Sequence, residues 1–69
     1  MEDIKISLAA ARVNAGYSQA DVSTILHIGK QTICNWEQGK VIPSFVALSA
    51  LSNLYGIPID NINLPKKST

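Results

Sequence analysis

The chain has 69 residues, 46% of them apolar and 16% charged, with six Lys plus Arg against five Asp plus Glu for a net charge of +1. That balance excludes an intrinsically disordered segment and a strongly acidic or basic tail, and it fits one small domain, residues 1–69, with an ordered core over about 4–64. A chain this short buries only roughly 60% of its unfolded surface, so stability must come from a disulfide, a metal, economical helix packing or a partner subunit.

Cys34 is the single cysteine and His27 the single histidine, so an internal disulfide and a Cys/His zinc site are both ruled out, and packing or dimerisation remains. No cofactor is expected. The acidic Glu2-Asp3 start does not read as a secretory signal, and no apolar run approaches the roughly 20 residues of a membrane span, so a cytoplasmic location without membrane association is expected. The near-neutral charge argues at first against nucleic acid, whose binders usually have a domain pI above about 9.

Helical periodicity runs between punctuating Gly and Pro residues, and no alternation indicates strands. A first helix is expected over about residues 4–15, with Leu8, Ala11, Arg12 and Ala15 on one face and Gly16 as its stop. Ser18 and Asp21 fit a capping box that opens a second helix ending near Leu26. Only His27-Ile28-Gly29 separates it from a third helix, which runs through Ile33, Trp36 and Glu37 to Gly39. Ser44 after Pro43 is a good N-cap for a fourth helix carrying Phe45, Leu48, Leu51, Ser52 and Tyr55 inward as far as Gly56. A short fifth helix over about residues 58–63 lays Ile59 and Ile62 on the core, and residues 65–69 form a basic tail. The fold class is all-α, five helices in one compact domain.

Residues 19–38 meet the demands of a helix-turn-helix together. Val22, Leu26, Ile33 and Trp36 face the core, Ser23 is small where the helices cross, and His27 occupies the turn position that wants a positive φ. Ile28 plugs the turn. Helical geometry then leaves Lys30, Gln31, Cys34, Asn35 and Gln38 on the outer face of the third helix. Asn and Gln carry a donor and an acceptor that match the N6/N7 edge of adenine, and Lys donates to guanine O6/N7.

Tyr17-Ser18-Gln19-Ala20-Asp21-Val22-Ser23, then Ile33-Cys34-Asn35-Trp36-Glu37-Gln38-Gly39-Lys40, then Pro43-Ser44-Phe45 and Leu54-Tyr55-Gly56-Ile57 follow one familiar pattern in order and spacing. Over about residues 8–64 the chain resembles the phage Cro/repressor-type helix-turn-helix family. The resemblance implies a compact five-helix, lambda-repressor-like domain that puts its third helix in the major groove of double-stranded DNA, usually as a symmetric dimer on a palindromic operator. It implies base contacts from Lys30, Gln31 and Asn35, and backbone contacts from Gln19, Gln38, Lys40 and the N–H groups near Ser44. Gln19 also braces the recognition helix in this pattern, and Arg12 with Glu37 matches an interhelical ion pair. Two positions depart from it: His27 replaces the usual turn glycine, and Gly29 replaces the usual Ser/Thr cap.

Plainer roles compete at several positions. Cys34 reads as a small side chain and His27 as a turn residue, and Gly29-Lys30-Gln31-Thr32 lacks the spacing of a phosphate loop. Neither paired carboxylates nor a nucleophile-base set is apparent, so no enzymatic activity is expected. Val46, Ala50 and Leu54 form a second apolar stripe on the fourth helix that continues towards Ile57 and Ile59, and Val46, Leu54 and Ile59 are the candidate dimer interface. The length leaves no room for a ligand-sensing domain, so no small-molecule ligand is expected.

The reading is a sequence-specific DNA-binding regulator, a small repressor of phage or mobile-element type. The alternative is an antitoxin or co-regulator acting through protein contacts, favoured by the same apolar stripe. The charge objection weakens once Arg12 and Glu37 cancel inside the fold. Lys30 and Lys40 against Asp21 then remain near the contact surface, which implies a salt dependence of only about two or three counterions per subunit.

Overall fold

Serine side chains open three of the four α-helices of this protein, whose computed structural model describes residues 5–65. Ser7 precedes α1 (Leu8–Asn14), Ser18 precedes α2 (Gln19–Leu26) and Ser44 precedes α4 (Phe45–Tyr55), and each hydroxyl accepts from the backbone N–H three residues on. Each cap satisfies an otherwise orphaned donor, typically worth about 1 kcal/mol. At α2 the box is complete, with Asp21 N–H on Ser18 Oγ at 3.0 Å and Ser18 N–H on Asp21 Oδ2 at 2.8 Å. The bond from the Ser18 backbone holds the Asp21 carboxyl below its usual pKa.

The third α-helix, α3 (Lys30–Gln38), starts at Gly29 without a side-chain cap and ends at Gly39. Gly39 has φ +80° and its N–H reaches the Asn35 and Trp36 carbonyls, a left-handed stop that a Cβ would strain.

Two expectations fail at the ends of the chain. The described part of the first helix begins at Leu8, because Ile6–Ser7 is an extended strand, β1, paired in parallel with β2 (Ile62–Asn63) in the register Ile6 to Ile62 and Ser7 to Asn63. The fifth helix is a single 3₁₀ turn, Ile59–Asn61, and Ile62 leaves it in extended conformation to join that ladder. Among the described residues the fold is therefore four α-helices, a 3₁₀ turn and a two-residue parallel ladder. Two-residue strands carry no readable alternation, which is why periodicity does not reveal them. Ile4, where the first helix was expected to start, and the basic tail beyond Pro65 lie outside the described residues.

Every α-helix feeds one core: Leu8 and Ala11 from α1, Val22 from α2, Ile33 and Trp36 from α3, Leu48, Leu51 and Tyr55 from α4, closed by Ile62 from β2. Leu26, Ile28, Leu54, Ile57 and Ile59 pack around it, and the Tyr17 and Tyr55 rings meet at 6.4 Å between centroids. Phe45 departs from its expected inward place and is 73% exposed. As the first residue of α4 it sits one turn before Leu48, beyond the edge of the core. Lys5 Nζ ties the start of the described chain to the Asp60 carbonyl at 3.1 Å.

Candidate nucleic-acid interface

Three residues turn the chain from α2 into α3. His27 takes the left-handed conformation, φ 57° and ψ 42°, and is the one non-glycine with positive φ among the described residues. The N–H groups of His27 and Ile28 both bond to the Ser23 carbonyl, and Ile28 packs on the core, so the turn is held from its backbone and from its apolar side. This is the sharp connection expected of residues 27–29, with His27 bearing strain that glycine would not.

The turn fixes which way α3 faces. Ile33 is 1% exposed and Trp36 8%, so Lys30, Gln31 and Gln38 lie on the open side and Cys34 and Asn35 are half-buried beside them. Gln31 Nε2 donates to Asn35 Oδ1 at 3.0 Å across one helical turn. An open depression of about 270 Å³ lies against this face, lined by Gln19, Lys30, Gln31 and Cys34. The structure thus brings Gln19 of α2 together with Lys30 and Gln31 of α3. Lys40 and Ser44 are exposed beyond the far end of α3, in the segment leading to α4.

The inner edge of α3 is locked by charge. Arg12 Nε donates to Glu37 Oε2 at 2.8 Å and Nη2 to Oε1 at 3.3 Å, a two-point pairing of α1 with α3. Arg12 Nη1 also holds the Tyr17 carbonyl at 2.9 Å, and Gln19 Nε2 donates to Glu37 Oε1 at 2.9 Å. Glu37 is thereby the common acceptor of α1 and α2. The Glu37 hydrogen bond raises the Arg12 pKa further above its ordinary value, against the opposing effect of burial. Nearby, burial and the Glu37 charge push the Tyr55 phenol up to about 12.

Among the expected interface residues for a partner subunit, only Val46 is freely exposed, at 79%; Leu54 and Ile59 are half-buried against the core. Val46 follows Phe45 in the chain, and Phe45, Val41 and Ile42 are exposed as well, an openness that the helical pattern did not single out. The Gln31–Asn35 bond was also not foreseen, although its i, i+4 amide spacing was there to be read.

A helix-turn-helix family profile matches residues 8–62, from the first residue of α1 to the first of β2. The chain belongs to the Cro/repressor-type helix-turn-helix family. Comparison with curated proteins and with solved structures finds no match. As a helix-turn-helix protein of this family it is a sequence-specific DNA-binding domain with a regulatory role. Among the described residues no group of three or more His, Cys, Asp or Glu is placed to hold a metal, and no helix is long and apolar enough to cross a membrane.

Proposed function

We propose that this protein is a small transcriptional repressor of phage or mobile-element type that binds a palindromic operator as a homodimer, with α3 in the major groove. The observation that carries the reading is the two-sided character of α3. Its outer face offers Lys30, Gln31 and Asn35, while its inner edge is anchored through Glu37 to Arg12 and Gln19. A recognition helix needs both, because base edges discriminate only when the side chains reading them are held in register.

Lys30, Gln31 and Asn35 face base edges in this arrangement, and Gln19, Gln38, Lys40 and the backbone near Ser44 hold phosphates. Gln19 spends one amide hydrogen on Glu37 and keeps a second for a phosphate oxygen. At α4, Ser44 Oγ is engaged by Ala47, which leaves the first N–H groups of that eleven-residue helix pointing outward for an anion. Lys30 and Lys40 are the only cations in this set, so affinity rests on two subunits acting together.

The partner surface is centred on Val46, with the edges of Leu54 and Ile59. What supports it is the 79% exposure of Val46 beside the equally open Phe45. The same patch favours the second reading, an antitoxin or co-regulator that presents this surface to a different protein.

Selection of bound sites from random duplexes, followed by a salt titration, tests the function. A defined palindrome with a slope of about two or three counterions per subunit is expected. Weak binding without sequence preference refutes the repressor reading, and a slope of about six or more per subunit refutes the phosphate assignment. Replacing Gln31 and Asn35 together by Ala must change the selected sequence while leaving the fold intact; an unchanged preference removes both from the base-reading set.

A further inference from the structure

The segment from α3 to α4 turns apolar side chains towards solvent although its backbone is held at both ends. Lys40 and Val41 donate their N–H groups to the Asn35 carbonyl at 2.9 and 3.4 Å, Pro43 is buried, and Ser44 Oγ caps α4. Even so, Val41 and Ile42 are 46% and 44% exposed, and Phe45, directly after the cap, is 73% exposed. Three such residues within five positions are not the scattered apolar side chains of an ordinary surface.

Phe45 also stands apart from the stripe assigned to a partner subunit. At 100° per residue, Phe45 and Leu54 fall on opposite flanks of the buried Leu48, Leu51 and Tyr55, and Val46 points away from that buried face. The surroundings suit a polyanion. From Gln38 to Ile59 the sequence holds no Asp or Glu, and its one cation, Lys40, immediately precedes Val41. Glu37, the nearest acid, is engaged by Arg12 and Gln19. The apolar side chains are thus continuous in the chain with Lys40 and the start of α4, the groups assigned to phosphates.

We propose that Val41, Ile42 and Phe45 pack on the deoxyribose rings of the operator strand whose phosphates Lys40 and the start of α4 hold. A DNA strand alternates charged phosphates with sugars whose C–H faces are apolar, so carbon side chains beside a phosphate ligand meet a surface of their own kind. Covering that surface releases no counterions, and it therefore supplies affinity that salt does not screen. Sugars carry no sequence information, so the contact strengthens and orients binding without changing the sites selected. A domain with few cations gains most from such a contact.

This inference rests on the proposed operator binding, and the experiment separates the two. The intact protein, the double variant Ile42→Ser with Phe45→Ser, and Lys40→Gln are compared on the operator obtained by site selection, with circular dichroism confirming that each is folded. Hydroxyl radicals cleave DNA by attacking deoxyribose C–H bonds, so protection from cleavage reports which sugars the protein covers. The double variant should lose protection at a few sugars in each half-site and bind at least about tenfold more weakly. Its salt slope, its selected sequence and its self-association in analytical ultracentrifugation should match those of the parent. Lys40→Gln should instead lower the slope by about one counterion.

A double variant that keeps the parent's affinity and sugar protection overturns the sugar contact while leaving operator binding in place. One that loses affinity because its subunits no longer associate also overturns it, and assigns the surface to a second copy of the chain. Failure of the intact protein to select any operator overturns both the contact and the repressor reading.

Discussion

Replacing Glu37 by Ala removes the acceptor on which α1, α2 and α3 converge. The Arg12 and Glu37 side chains are 14% and 8% exposed, so the guanidinium left behind is mostly out of water. Breaking a buried ion pair by deleting one partner costs about 3–5 kcal/mol. Arg12 retains the Tyr17 carbonyl at 2.9 Å and some access to solvent, which places the expected loss at the lower end, about 3 kcal/mol. A domain of this length has a total stability on the order of 3–10 kcal/mol, so the loss is a large share of it. At roughly 4–8 °C per kcal/mol for a domain this small, Tm should fall by about 12–24 °C.

Urea and thermal unfolding followed by far-UV circular dichroism measure the change. Replacing Arg12 and Glu37 together by Met removes the orphaned charge along with its partner and should recover most of the loss. A cost below about 1 kcal/mol for Glu37→Ala, the range of exposed pairs, refutes the reasoning. So does a double variant no more stable than Glu37→Ala alone.

Three further outcomes are expected. His27→Gly relieves a left-handed residue costing roughly 1–2 kcal/mol and adds roughly 0.5–1 kcal/mol of unfolded-chain entropy, so stability should rise by up to about 1.5 kcal/mol, and a lowered urea midpoint contradicts this. The folded state holds the Tyr55 proton to about pH 12, whereas the unfolded phenol releases it near 10.0. Its contribution is therefore complete below pH 10.0 and lost as pH rises towards about 12, and urea midpoints of Tyr55→Phe should fall less steeply over that window than those of the parent; equal slopes dismiss the idea. Val46→Glu, at a position 79% exposed, should leave Tm unchanged and weaken the dimer in analytical ultracentrifugation, and a parent that stays monomeric at every concentration, on DNA and off it, ends the dimer reading. Leu54→Glu is a poorer probe because Leu54 packs against the core.

The parts of the fold legible in the sequence were those with local causes. Ser18 and Asp21 cap α2 within four residues, Gly39 stops α3 on its own backbone, and the buried positions of α2 and α3 repeat at helical spacing. The Arg12–Glu37 pair, 25 residues apart, came into view only through family resemblance, since nothing local links the two. What stayed hidden depends on distant neighbours. Ile6 is a strand residue because Ile62 lies beside it, and Phe45 is exposed because the core ends one turn further along α4. On the outer face of α3, residue types indicated which side chains face outward, whereas the direction of the Gln31–Asn35 bond is a matter of rotamers that spacing alone does not specify.

The Ile6–Ile62 pairing gives the protein a connectivity close to a ring. Strands in such a ladder lie about 4.8 Å apart, and because this one is parallel, a linker joining its outer ends need only run back past two residues. The chain can then be opened elsewhere, at the exposed Val41 and Ile42 between α3 and α4, without cutting any α-helix. A permuted protein of that kind would carry α3 at a chain terminus, with the same side chains on its outer face. The order in which the helices are strung is thus separable from the surface they build.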